Sequence, residues 1–203
     1  MSKKIVIAFE GIEGSGKTFH INNVSKYLKK KNIPHIKLRE PGGSKNSEKI
    51  RNLILNNKSN FKKNTDLLLY LAARSENIEY LKKYYKKKII LLDRFTDSTI
   101  AYQHFGMGVN LEILNKVNNH LLKSFKVDFT FLNTVSEKNM KKRLKERKKL
   151  NRYDKFEKKF YHRVQKGFIK ISKNKKNYKI INSNYPIEKN KKDIIDKIEA
   201  LIK

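Results

Sequence analysis

KIVIAFEGIEGSGKTFHINNVSKYLKK, residues 4–30, decides the fold. Its first six residues, KIVIAF, are apolar and β-branched or aromatic at strand length, and its last twelve, FHINNVSKYLKK, space apolar side chains at helical intervals. Between them Gly11 to Thr18 match G-x-x-x-x-G-K-[ST], so strand, glycine-rich loop and helix occur in the order a phosphate-binding loop requires. Glycine tolerates the backbone angles of a concave nest, which lets the N–H groups of Gly14, Ser15, Gly16 and Lys17 turn inward around a polyphosphate. The start of the helix adds its partial positive charge. The loop residues Gly11, Ile12, Glu13, Gly14, Ser15, Gly16, Lys17 and Thr18 are therefore the expected nucleoside triphosphate contacts. Lys17 reaches the outer phosphates and the Thr18 hydroxyl is a Mg²⁺ ligand in that reading.

The remaining chain repeats the alternation. HIKLR (35–39), KIILLD (88–93), VDFTFL (127–132) and YKII (178–181) have strand length, and helix-length stretches begin near residues 17, 44, 64, 97, 110, 136, 154 and 188. Strands apolar on both faces and separated by helices predict a parallel sheet covered on both sides. The expected fold is α/β, of the three-layer P-loop NTPase type, with five parallel strands flanked by helices. The hydrophilic stretch 141–160, KKRLKERKKLNRYDKFEKKF, reads as a flap between two helices, with a helical lid at about 143–155. A length of 203 residues predicts one domain over 1–203.

Composition narrows the class less than it first promises. Hydrophobic residues make up 38%, and ten Tyr and eleven Phe supply large groups to bury, so a folded core is expected. Cysteine is absent, which excludes disulfides and thiolate metal sites. His20, His35, His104, His120 and His162 are too scattered for a metal cluster. The apolar run of MSKKIVIAFEG stops at Glu10, too short for a secretory or membrane-spanning segment, and the expectation is a cytoplasmic protein without a membrane partner. The formal charge of +30 draws attention to nucleic acid, but lysine comes mixed with Asn and Ile throughout, as in NNKSNFKKN and SKNKKNYKIINSN. That mixture is a compositional bias of solvated faces, and no specific nucleic-acid partner is inferred from it.

Other P-loop classes fit poorly. NKKD at 190–193 has the letters of a guanine-reading motif but opens the last helix in a lysine run, and no D-x-x-G accompanies it. A motor would carry an acidic pair after KIILL, where this chain has Asp93-Arg94. An arginine at the carboxyl end of a strand points into the ligand crevice of an α/β sheet and can grip a second phosphate.

With FEGIEGSGKT, REPGGSKNSEKIR at 39–51, LLLYLAAR at 67–74 and LLDRFTDSTIAYQ at 91–103, the chain resembles the thymidylate kinase family of P-loop nucleoside monophosphate kinases. The resemblance implies ATP-dependent phosphorylation of dTMP to dTDP, a Mg²⁺ cofactor, and a homodimer. It implies that Arg94 and Arg51 hold the acceptor phosphate, that Tyr70 stacks on thymine and that Arg74 donates to its O4 edge. Ser98 or Thr99 would meet the base edge, Tyr102 would lie beneath the deoxyribose and exclude a 2′-hydroxyl, and Gln103 belongs to the same motif without a derivable role. Glu13 would approach the acceptor sugar and the metal, and Asp93 the metal or its waters. Because the P-loop carries no arginine, the lid is expected to supply one; Arg152 is the candidate, with Arg147 and Arg143 behind it. The candidate catalytic set is Lys17, Arg94, Arg152 and Glu13. Two other readings stay open at this point: a P-loop kinase of another nucleoside or monophosphate, and a basic ATP-dependent nucleic-acid-binding protein.

Overall fold

Val6–Gly11 forms β1 and Lys17–Lys30 forms α1, with the glycine-rich loop between them. The structure, a computed structural model, describes residues 4–147 and 150–203. Four further strands follow: β2 (His35–Arg39), β3 (Ile89–Asp93), β4 (Phe129–Thr134) and β5 (Tyr178–Asn182). All pair in parallel, in the order β2-β3-β1-β4-β5. From β1 the chain goes to the edge at β2, returns to insert β3 between them, and then builds outward on the other side through β4 and β5, so the sheet's switch point falls at the carboxyl end of β1, where such sheets open a ligand crevice. The strands start one or two residues later than the apolar runs at β1, β3 and β4.

The strand residues divide by pleat. Ile7, Phe9, Ile89, Leu91, Phe129 and Phe131 pack with Ile21, Val24 and Leu28 of α1 and with Ile194 and Ile198 of α8 (Ile187–Ile202). Val6, Ala8, Ile90 and Leu92 face the other way, toward Ile78 and Leu81 of α3 (Lys63–Lys82) and toward Phe95 and Phe125. All of these side chains are buried, and each except Ala8 stabilises the fold by about 1.5–3 kcal/mol relative to exposure. Lys17 is the one lysine buried among the described residues, so the basic excess lies on solvated faces.

Two regions depart from the expected helices. The helix expected near 97 is a short α4 (Thr96–Thr99) running into a π-helix, Ile100–Gly106, closed by the Met107 N–H donating to the Tyr102 carbonyl at 3.0 Å. Such wide turns are rare and collect at functional sites. The remaining helices are α2 (Lys45–Leu55), α5 (Leu111–Leu122), α6 (Glu137–Lys145) and α7 (Lys158–Ser172). Between α6 and α7 the described residues include a 3₁₀ turn, Arg152–Lys155, closed by a capping box between Asn151 and Asp154. That box uses the residues that would have begun α7, which therefore starts at Lys158 and not near 154. Within the expected lid of 143–155, Lys148 and Lys149 lie outside the described residues.

Candidate active site

The loop after β1 forms because no other side chain fits its first position. A Cβ on Gly11 would lie 2.1 Å from the Asn133 carbonyl oxygen on β4. Gly16, at φ 84°, enters α1 without a side-chain cap and without an acid in the first turn. The first N–H groups of α1 are thus left for an anion, which the helix dipole favours. Arg143 of α6 braces this loop, donating from Nη1 to the Gly14 carbonyl at 2.8 Å and from Nη2 to the Ser183 carbonyl at 2.7 Å. Lys17 folds back on the loop, its Nζ donating to the Ile12 carbonyl at 2.9 Å. Burial, with Arg94 as the next cause, pulls its ammonium down to about 7. The Thr18 hydroxyl donates to Asp93 Oδ2 at 2.8 Å, joining two of the three residues expected at the metal.

Arg94 follows β3 with φ 68°, a left-handed conformation that costs a non-glycine residue about 1–3 kcal/mol and collects at functional sites. It aims the guanidinium back across the mouth of β1. Nη1 donates to the Gly11 carbonyl at 2.8 Å and to Ser98 Oγ at 3.1 Å, and Nη2 to Glu13 Oε1 at 2.8 Å. Its carbon lies 5.0 Å from the centre of the Tyr102 ring. The Tyr102 hydroxyl donates to the other Glu13 oxygen. Glu13 is held below the usual carboxylate range by Arg94 and then Lys17, against the upward push of its own burial. Both Glu13 oxygens are thus engaged, one by Arg94 and one by Tyr102.

What holds Arg94 in that strained turn is Glu10, on β1. Its carboxylate accepts from the Phe95 N–H at 2.8 Å, from the Ser98 N–H at 3.3 Å and from the Ser98 hydroxyl. Burial and the nearby Asp97 push it up to about 7. The Ser98 proton is thereby committed to Glu10, which leaves its oxygen to accept from Arg94 Nη1.

The far end of the cleft is lined by α3 and the π-helix. Tyr70 and Arg74, four residues apart on α3, share a face, as do Ser98, Thr99, Tyr102 and Gln103 on the facing segment. Arg74 is only 2% exposed. It donates to Glu40 Oε2 from Nε at 2.9 Å and from Nη2 at 2.7 Å, to Thr99 Oγ1 at 2.8 Å and to Asn118 Oδ1 at 2.7 Å. A guanidinium has five N–H groups. Four are used, which leaves one on Nη1. Gln103, fully buried, donates from Nε2 to Asp66 Oδ2 at 3.3 Å and to the Tyr153 hydroxyl at 3.2 Å, while its Oε1 has no partner among the described residues. One cleft thus collects Glu13, Lys17, Thr18, Arg51, Tyr70, Arg74, Asp93, Arg94, Ser98, Thr99, Tyr102 and Gln103. Arg51 donates to the Pro41 carbonyl from α2 and is partly buried.

Arg152 is placed otherwise than expected. Its Nη2 pairs with the buried Asp66, its guanidinium lies over the rings of Phe61 and Tyr153, and it does not line the cleft. Arg147 and Asn151 do. Arg147 pairs with Asp154 at 2.7 Å and, at 39% exposed, keeps part of its guanidinium open to the cleft. Sequence reasoning did not single out Glu10, Glu40, Asp66, Asn118 or Tyr153. An acid inside an apolar strand or stripe was a visible signal for Glu10 and Asp66; Asn118 and Tyr153 carried none.

A parallel sheet with a glycine-rich loop after its first strand, an uncapped helix behind that loop and a second cationic pocket across the same crevice defines a P-loop phosphotransferase with two nucleotide-sized halves. The family model described as thymidylate kinase matches residues 9–194. The chain belongs to the thymidylate kinase family. It is 38% identical over 184 residues to the thymidylate kinase of Thermosipho africanus, covering 90% of this chain and 91% of that one. It is 38% identical over 202 residues to that of Mesoplasma florum, covering 95% and 96%. The crystal structure of thymidylate kinase from Ehrlichia chaffeensis superposes with a TM-score of 0.77 at 29% identity, covering 97% of this chain and 99% of that one.

Proposed function

We propose that the P-loop half of the cleft holds ATP and the Arg94 half holds dTMP, so that a dTMP phosphate oxygen attacks the γ-phosphorus and ADP leaves with the bridging oxygen, giving dTDP on the way to dTTP. No general base is needed, because the attacking group is already an oxyanion, and positioning with charge neutralisation carries the rate. Arg94 and Arg51 neutralise the acceptor phosphate through bidentate contacts, and Lys17 with the free α1 N–H groups neutralises the donor. Tyr102, anchored by Glu13, lies under the sugar and leaves no room for a 2′-hydroxyl.

Mg²⁺ fits Thr18 and Asp93: a hydroxyl and a carboxylate 2.8 Å apart beside the loop suit an ion whose other ligands are phosphate oxygens and water. A bound ion would lower the charge on the β- and γ-phosphate oxygens. No group of three or more His, Asp or Glu among the described residues forms an all-protein cage, which accords with an ion carried in with the nucleotide. No helix among the described residues is long and apolar enough to cross a membrane. Leu68 on α3, 62% exposed, supplies apolar surface for the homodimer that the resemblance implies.

The observation that carries the base assignment is the pairing of one spare donor on Arg74 with one partnerless acceptor on Gln103. Thymine offers their complement, an O4 acceptor and an N3–H donor. Cytosine reverses both. In a buried site such a mismatch leaves polar groups unpaired and costs roughly 10⁴-fold in kcat/KM. A coupled ADP-release assay across dTMP, dUMP, dCMP, dAMP and dGMP should show dTMP preferred, with dUMP next because it lacks only a methyl. Gln103→Leu should shrink the dTMP:dCMP ratio about 100-fold. Equal turnover across bases, or DNA-stimulated ATPase without dTMP, would return the protein to the rival readings.

The lid cation is Arg147. Arg147→Ala should lower kcat by ~10³ with ATP affinity little changed, as for an arginine finger. Arg152→Ala should instead lower the melting temperature, having removed the partner of a buried carboxylate. A kcat loss confined to Arg152→Ala would restore Arg152 to the catalytic role.

A further inference from the structure

Gln103 could read a base in either of two ways, because a carboxamide presents a carbonyl or an NH₂ group depending on a 180° turn. The structure places three groups that remove the choice. Asp66, in the first turn of α3 and 1% exposed, accepts from Arg152 Nη2 and from the Tyr153 hydroxyl, and its Oδ2 also takes Gln103 Nε2 at 3.3 Å. Because Tyr153 donates its only proton to Asp66, its oxygen faces Gln103 as an acceptor, at 3.2 Å. A reversed amide would set Oε1 against a carboxylate oxygen and a phenolic lone pair, out of reach of water. Buried acceptors facing one another leave polar groups unpaired, which such a site does not tolerate.

We propose that Asp66 is a specificity-determining positioning residue: through its carboxylate and the Tyr153 hydroxyl that it orients, it fixes the Gln103 amide with the carbonyl toward the cleft, so that the site accepts from thymine N3–H and rejects cytosine. This rests on the reading of Gln103 as the base-edge acceptor. The carboxylate never touches the nucleotide in this scheme. It acts by deciding which end of another side chain does. The three contributors come from α3, the π-helix and the 3₁₀ turn of the lid, so base reading and lid placement share one anion.

Asp66→Asn tests it. Asparagine keeps the shape but offers Gln103 either a donor or an acceptor, so the amide can turn to suit cytosine. The dTMP:dCMP ratio of kcat/KM should fall by ~10- to 100-fold, while the dTMP:dUMP ratio, set by a methyl group, stays unchanged. Asp66→Glu, which restores the charge, should recover the ratio. In the double variant with Gln103→Leu, Asp66→Asn should add nothing further to the loss of ratio. A merely structural Asp66 would lower turnover with all three nucleotides together and leave the ratio intact, and that result overturns the proposal. If Gln103→Leu changes the ratio and Asp66→Asn does not, the proposal falls and the reading of Gln103 stands; if Gln103→Leu leaves it unchanged, the reading itself falls. Should Asp66→Asn not fold, the wild-type protein answers by NMR. The chain has two glutamines, Gln103 and Gln165, so the side-chain amide protons of Gln103 are assignable by their loss in Gln103→Leu. Donation to a carboxylate moves one of them downfield; two protons at free-amide positions would overturn the proposal.

Discussion

Arg94→Ala should reduce kcat/KM for dTMP by ~10³ or more and, at the same time, destabilise the unliganded protein by about 3 kcal/mol. The two effects have separate causes. The kinetic loss follows from removing the guanidinium fork that the proposed arrangement sets against the acceptor phosphate where the two anions must approach. The stability loss follows from Glu13, whose side chain is 12% exposed and whose charge Arg94 compensates at 2.8 Å. Without that partner a mostly buried carboxylate is left with Tyr102 and a more distant Lys17. The left-handed backbone at position 94 stays in place in the variant, because Glu10 holds it through the Phe95 N–H and Ser98 and not through the arginine side chain. Glu13→Gln in the Arg94→Ala background separates the causes, since a neutral amide no longer needs the cation: urea unfolding should recover most of the stability while the coupled ADP-release assay recovers no turnover. Arg94→Ala that keeps dTMP turnover within tenfold would remove Arg94 from the acceptor site. Stability that fails to return in the double variant would mean that Arg94 supports the fold by its contacts to Gly11 and Ser98 and not by its charge.

That contrast also marks where the sequence was readable. The five strands, the P-loop and the order of helices are written in local patterns: apolar runs of strand length, a glycine spacing, and helical periodicity. Arg94, Arg51, Tyr70 and Arg74 were legible because their motifs carry them as short strings, and all line one cleft. The supports of those residues were not. Glu10 reaches Ser98 across 88 positions, Asp66 reaches Gln103 across 37, and Arg74 reaches Asn118 across 44. Nothing in a linear string fixes such a pairing until the strand order is known. The π-helix was equally hidden, because a single shift from four- to five-residue hydrogen bonding leaves the apolar spacing of IAYQHFG compatible with an ordinary helix. Which of Arg143, Arg147 and Arg152 faces the cleft was hidden in the same way, because all three share one basic run and their partners are remote. Arg152 pairs with Asp66, 86 positions away, and does not line the cleft.

Lys17→Met should lower kcat by roughly 10³, because the ammonium faces phosphate charge that grows as the bond to the leaving group breaks. The pH behaviour of the same residue provides a sharper check. In the empty site burial holds Lys17 at about 7, so at pH 8 most molecules carry a neutral amine. A polyphosphate beside it favours the charged form and restores an ordinary lysine. ATP binding at pH 8 should therefore take up close to one proton, read by titration calorimetry in buffers of different ionisation enthalpy, and Lys17→Met should take up none. The sign for folding is the reverse of the usual lysine pair. Lys17 has a lower proton affinity folded than unfolded, so between about 7 and the ordinary lysine range the unfolded chain binds more protons, and this residue's contribution to stability rises with pH. Below that window both states are protonated and the folded state bears the full cost of a buried ammonium. Lys17→Met should be more stable than the parent at pH 6, and the gap should narrow as pH rises toward 10. Proton uptake equal in parent and variant would assign the titration to another group, with Glu10 the next to examine because it too is held at about 7.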